Sequence, residues 1–195
     1  VLGVVLALIR IPVAVGEQQP LTETLMRPLS FGATVQRVQG CDRFATSVAV
    51  SGMRSEVATC VIIASGRDFP DALVATPLAT ALNARLLLTE PACLPSAVAG
   101  EIRRLGAVSA VIIGGEHAVS TDVERDLSRA GVRPERIERS AGVDRYDTAA
   151  IVARRVVAAT SARSGAVLAT GEEYADALSA SALAGAMVRP ILVTR

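Results

Sequence analysis

The sequence predicts an α/β fold in two tandem units, each a short parallel sheet flanked by helices, the second unit truncated. Three observations predict it: an internal repeat, an alternation of apolar runs with helical stretches, and a second copy that breaks off after its second strand. At an offset of 102, residues 37–50 and 139–152 share six of fourteen positions. The pairs include Arg37/Arg139, Gly40/Gly142, Asp42/Asp144, Arg43/Arg145 and Thr46/Thr148. At an offset of 105, residues 61–89 and 166–194 share eleven of twenty-nine, among them Gly66/Gly171, Asp71/Asp176 and Thr89/Thr194. Four of the five aromatic residues pair as well, Phe44 with Tyr146 and Phe69 with Tyr174. The period is that of a small domain, longer than the ~20–50 residues of a solenoid unit.

Within the first copy each element has a local cause. Asp42 predicts a helix running through Met53, because a short acceptor there bonds the free amides of the first turn. VIIAS (61–65) is a short β-branched run, hence a buried strand. Asp71 to Leu82 reads as a helix with Leu73, Leu78 and Leu82 inward. LLLT (86–89) is strand-like, and Pro95 to Leu105 is a helix begun by proline and stopped by Gly106. AVIIG (110–114) is another buried strand. Thr121 and Glu124 have the spacing of a capping box, opening a helix that Gly131 ends. Continuous apolar strands alternating with helices predict a parallel sheet covered on both faces. The expected division is a signal-like segment and linker over 1–36, a complete unit over 37–138 and an incomplete one over 139–195. The chain is thus expected to be a piece of a longer protein.

Composition narrows the partners. The 195 residues carry 20 basic and 19 acidic side chains, and 51% are hydrophobic, enough for a real core. Every basic residue is arginine, and there is no tryptophan. A near-neutral chain without a basic run is a poor ligand for nucleic acid, which needs clustered positive charge. Five aromatics argue against stacking platforms for bases or sugars.

The first 16 residues form an apolar run interrupted by Arg10 and Pro12. That is shorter than the ~20 residues a membrane span requires, so no stable membrane span is expected. Ala14-Val15-Gly16 suits a signal-peptidase site, and a clipped signal sequence is the preferred reading over a buried strand. Cys41, Cys60 and Cys93 have neither a disulfide nor a zinc spacing and read as small buried thiols. His117, the only histidine, reads as solvent-exposed.

Ligands of open α/β sheets gather at the carboxyl ends of the strands. Ser65-Gly66 with Asp71, Thr89, and the Gly114-Gly115 turn fall there. The glycine turn could hold an anion on its amides, yet it has neither a dinucleotide fingerprint nor a P-loop lysine. Asp71 and Asp176 could serve as acids or metal ligands; their place beside helix starts favours capping. Asp42-Arg43 and Asp144-Arg145 read as a repeated buried pair locking the start of a helix. No nucleophile–base–orienter set emerges, so no catalysis, cofactor or metal is expected. Duplicated modules of modest affinity gain avidity along a polymer instead.

These strings, with LPSAVAGEIRRLGA (94–107) and VIIGGEHAVS (111–120), resemble the cell-wall-binding repeat type 2 family of Gram-positive bacteria over residues 37 to 195. The resemblance implies Rossmann-like units, usually three, packed around a pseudo-threefold. It implies secretion to the cell wall or surface and non-covalent tethering to an anionic wall polymer, with neighbouring repeats of the same chain as further partners. It also implies a tethering role for a P-I-L-L segment, which matches Pro190, Ile191, Leu192 and Val193. The first copy departs from it, with Arg85 in place of proline before Leu86, Leu87 and Leu88. Arginine forks bind phosphate bidentately, which nominates Arg67, Arg85, Arg103 and Arg189. The apolar triplets read more simply as buried strands that hold the adjoining loops. Two alternatives stand beside wall anchoring: the anchor of a wall amidase whose catalytic domain lies elsewhere, and a nucleotide-binding α/β protein.

Overall fold

A parallel strand buried on both faces needs a helix on each side, and the chain supplies them in alternation. The computed structural model describes residues 36–160, 165–172 and 174–195. The signal-like segment 1–16 and the linker up to residue 34 lie outside the described residues. Contacts divide the chain into a leading segment, Val1–Gln39, and a body, Gly40–Arg195.

The body runs α1 (Arg43–Gly52), β1 (Cys60–Ser65), α2 (Phe69–Ala81), β2 (Arg85–Thr89), α3 (Ser96–Leu105), β3 (Ser109–Ile113), α4 (Thr121–Arg129), a 3-10 turn (Pro134–Arg136) and β4 (Ile137–Ser140). Then follow α5 (Arg145–Thr160), β5 (Val167–Thr170), α6 (Tyr174–Met187) and β6 (Ile191–Thr194). One sheet has the order β2-β1-β3-β4, the other β5-β6, and every pairing is parallel. The expected α/β architecture is therefore present. Helix α3 follows Pro95 and ends at Gly106, whose φ of 67° is open to glycine at low cost.

The first sheet is covered on both sides. One face packs Val61, Ile63, Leu87 and Ile112 against Phe44 of α1, Val98 and Ile102 of α3, and Val123 and Leu127 of α4. The other packs Ile62, Ala64, Val111 and Ile113 against Val74 and Leu78 of α2. Leu73 and Leu82 of the expected inward face are half-buried. Full burial of such side chains stabilises the fold by about 1.5–3 kcal/mol each.

The second copy does not fold beside the first as an independent body. Ala149, Val152 and Val156 of α5, Ala184 of α6, and Ile191 and Val193 of β6 join the core on the α2 side. Helices α2 and α6, equivalent in the two copies, pack closely enough that a Cβ on Gly185 would lie 2.9 Å from Thr76 Cγ2. Strand β4 also straddles the expected division: Ile112 pairs with Arg139 and Ile113 with Ser140. The opening residues of the second copy thus complete the sheet of the first.

The remaining face of the second sheet lacks cover among the described residues. Leu168 is 68% exposed, whereas its counterpart Ile63 is fully buried under α3 and α4. On α6 itself Leu183 and Met187 are exposed; their counterparts in the first copy, Leu78 and Leu82, pack into the core on the α2 side.

Two expectations are corrected here. Cys41 and Cys93 are exposed and only Cys60 is partly buried, because the first two occupy connecting segments rather than strands. Burial raises the pKa of the Cys60 thiol. The capping box does not form: Ser120 holds the N-cap position of α4 without a side-chain bond, and Thr121 is its first helical residue. Glu124 is drawn instead toward Arg139.

Candidate functional site

The repeated motif G-x-D-R-[FY]-x-T builds the same corner twice at the carboxyl ends of the strands. Asp42 Oδ1 accepts from the Ala45 amide at 2.7 Å, and Asp144 Oδ1 from the Asp147 amide at 2.8 Å. Thr46 and Thr148 accept from the Gly40 and Gly142 amides at 3.0 and 2.9 Å. The glycines are required because a Cβ there would lie 2.4–2.6 Å from the start of the following helix. Arg43 donates to the Gly66 carbonyl, and Arg145 Nη1 to the Gly171 carbonyl at 2.8 Å. Phe44 and Tyr146 lie against those same two glycines.

Each motif residue thus has a structural task, and one expectation changes. Asp42-Arg43 and Asp144-Arg145 are not buried pairs: Asp42, Arg43 and Asp144 are exposed, and each aspartate caps its helix. The arginines span more than 20 residues to a strand-end carbonyl. Arg145 also lies 3.9 Å from Asp68 of the first copy, a contact across the repeat.

The two leading arginines differ sharply. Arg139 Nη1 donates to the carbonyls of Gly114 and Val119, both at 2.8 Å, and Nη2 to Glu124 at 2.6 Å. Arg37 is exposed, and among the described residues its side chain reaches Gln39 alone, at 3.5 Å.

The glycine turn is already occupied. Gly114 has φ +106°, and a Cβ there would lie 2.4 Å from Asp71 Oδ2. Its amide donates to the Ser140 carbonyl. A second anion would meet the Asp71 carboxylate, which disfavours the nucleotide reading on charge alone. Burial, then the nearby Asp68 charge, raise the Asp71 pKa, with Arg145 opposing. Gly115 has open space around it. Asp176, the counterpart in α6, is exposed. Ser65 and Thr170 accept from the Arg67 and Glu172 amides at 3.2 Å, so the hydroxyl at this position shapes a turn. His117 is exposed as expected.

The nominated polymer-binding residues are mostly interior. Arg85 is 5% exposed, donates to the Glu56 carbonyl and has a buried, unbonded Nε. Leu87 and Ile191 are essentially fully buried, Val193 and Pro190 are buried, and Leu86, Leu88 and Leu192 are half-buried. Arg189 is half-buried. Arg67 is exposed, but both ends of its fork bind Glu90 at 2.8 Å. Near Arg85, Glu101 accepts from Ser51 at 2.5 Å and Arg104 at 2.6 Å. Burial alone would raise the Glu101 pKa; the Arg104 and Ser51 bonds, with the Arg104 and Arg85 charges, hold it below its ordinary value.

A depression of about 390 Å³ beside Pro190 and Leu192 is also lined by Ala150, Ala153, Arg154 and Val157. In the first copy the counterpart of Ala153 is Ser51, which bonds Glu101 of α3. The depression is therefore the berth that α3 fills in the complete unit. Thr46 and Thr148 were visible as repeat identities, but their task emerges only from the corner they close.

The cell wall binding domain 2 (CWB2) profile matches residues 37–124 and 139–195. The chain is 35% identical to the N-acetylmuramoyl-L-alanine amidase LytC of Bacillus subtilis over 83% of its own length and 31% of that protein. It is 30% identical to the Amidase enhancer of the same organism, over 83% of its length and 22% of that protein. It spans less than a third of either relative. Among solved structures it resembles Cwp8 from Clostridium difficile, with TM-score 0.73 and 36% identity, covering 80% of this chain and 27% of that one. Cwp6 from the same organism gives TM-score 0.71 and 26% identity, covering 86% and 27%. Among the described residues no helix is long and apolar enough to cross a membrane.

Proposed function

The chain belongs to the cell wall binding domain 2 family, a cell-wall and surface module, and on that premise we propose that it tethers a secreted protein non-covalently to an anionic wall polymer. One observation carries the reading: the G-x-D-R-[FY]-x-T residues that the two copies share are spent on building the same corner twice. A duplicated scaffold with its polar groups committed to structure suits repeated weak contacts, which add up to avidity along a polymer. It suits catalysis poorly, since Ser65 is engaged in a turn and His117 is exposed. The Pro190–Val193 and Arg85–Leu88 segments support binding from inside, by fixing the strands whose ends carry the loops.

The likeness to the amidase LytC favours a second, compatible reading, in which this module anchors a wall hydrolase whose chemistry resides elsewhere. The test of the first is sedimentation of the purified chain with isolated Gram-positive walls at rising salt. An electrostatic tether releases progressively as ions screen it. Retention unchanged from low to high salt contradicts it.

A further inference from the structure

Resting on that reading, we propose that the first copy meets its polymer with the amino ends of its strands, through Arg103, Arg133 and Arg136. The carboxyl ends are the usual ligand edge of such sheets, but here that edge is acidic. It collects Asp42, Asp68, Asp71, Glu90, Glu116 and Glu124, which surround the Gly66 and Gly114 turns and the helix starts. Its arginines are committed: Arg67 to Glu90, Arg139 to Glu124 and two carbonyls, Arg43 to Gly66. A polyanion approaching there is repelled.

The opposite end has the reverse balance. All four strands of the first sheet are parallel, so the segments before Cys60, Arg85, Ser109 and Ile137 lie on one side. Backbone bonds tie these segments together. Ala58 donates to Leu105, Val108 to Thr59, Arg133 to Val108 and Arg136 to Arg133. Arg103 is in the last turn of α3, next to Gly106, and so belongs to the same rim. Arg103, Arg133 and Arg136 are exposed, and among the described residues their guanidinium groups make no hydrogen bond or ion pair. The neighbouring basic groups are already matched: Arg104 by Glu101, Arg54 by Glu56, and buried Arg85 beside Glu56. Glu135 is exposed between Arg133 and Arg136, while Glu56 and Glu138, exposed at the same end, are paired with Arg54 and Arg155. Free planar forks on one rim suit the phosphates of a flexible polyanion, each bound bidentately.

The experiment compares the full chain with the triple variant Arg103→Glu, Arg133→Glu, Arg136→Glu. A control of equal charge change carries Arg125→Glu, Arg154→Glu and Arg195→Glu. Binding is read on isolated Gram-positive walls and on inorganic polyphosphate, across a salt series, with thermal unfolding measured on each variant. The rim variant is expected to bind both probes at least ~10-fold more weakly at low salt, with a log–log salt slope shallower by about 2. The control keeps most of its binding. If the charge reversal unfolds the chain, the glutamine triple variant replaces it and is expected to show the same loss at reduced size. Rim variants binding within twofold of wild type, or a control that loses as much, overturn the inference while leaving wall anchoring intact. A wild-type chain that ignores both probes overturns the anchoring reading itself.

Discussion

Arg139 donates to the backbone oxygen of Gly114 at 2.8 Å, so the leading arginine of the second copy holds the glycine turn of the first. The same guanidinium binds Val119 and Glu124, drawing β4, the turn and the start of α4 into one cluster. Arg139→Ala should therefore destabilise the body by about 2–4 kcal/mol, since it strips a half-buried carboxylate and two carbonyls of a charged donor. Arg37→Ala, at the equivalent position in the leading segment, should change stability by less than ~0.5 kcal/mol. Denaturant unfolding of the two variants side by side checks the contrast.

Neighbouring glycines should also respond unequally. Gly114→Ala places a methyl group against the Asp71 carboxylate on a backbone of φ +106° and should cost about 2–3 kcal/mol. Gly115→Ala meets open space and should fall within ~0.5 kcal/mol of wild type. Thermal melts of both variants in one buffer distinguish them.

The aspartate caps predict a paired result. Asp42→Ala and Asp144→Ala each remove an acceptor from a first-turn amide and should cost about 1 kcal/mol. Asparagine keeps the acceptor and should restore most of the loss. A salt bridge to the adjacent arginine would instead leave asparagine as damaging as alanine.

Asp71 gives a pH signature. Its folded-state pKa is raised by burial and by Asp68, so the folded state holds this proton more tightly than the unfolded chain. The ionised group therefore opposes folding at neutral pH, and its penalty fades as pH falls through the raised value toward the ordinary carboxylate range. Asp71→Asn should raise the melting temperature at pH 7, with the gain shrinking steadily on acidification. A gain that grows toward low pH contradicts the assigned direction.

The strongly periodic parts of the fold were legible in residues alone. VIIAS, LLLT and AVIIG are strands because β-branched runs of that length have few other stable homes. Asp42 and Gly106 marked helix ends correctly because caps are local chemistry. The misreadings arose where a distant group intervened. Thr121 and Glu124 have capping-box spacing, but Arg139, fifteen residues on, takes the carboxylate. The IERS segment is too polar to announce a strand, and β3 recruits it through backbone pairing. Asp42 and Arg43 adjoin in sequence yet point to separate tasks. Arg85 resembles a surface phosphate ligand until the Leu87 strand carries it inside.

The tethering account is tested most directly by binding of the purified chain to one preparation of isolated Gram-positive walls, split so that half has its anionic polymer chemically extracted. The account predicts saturable binding to the intact half and a loss of at least ~10-fold on the extracted half, a difference of about 1.4 kcal/mol. Equal binding to both halves would contradict it and place the ligand in the remaining wall.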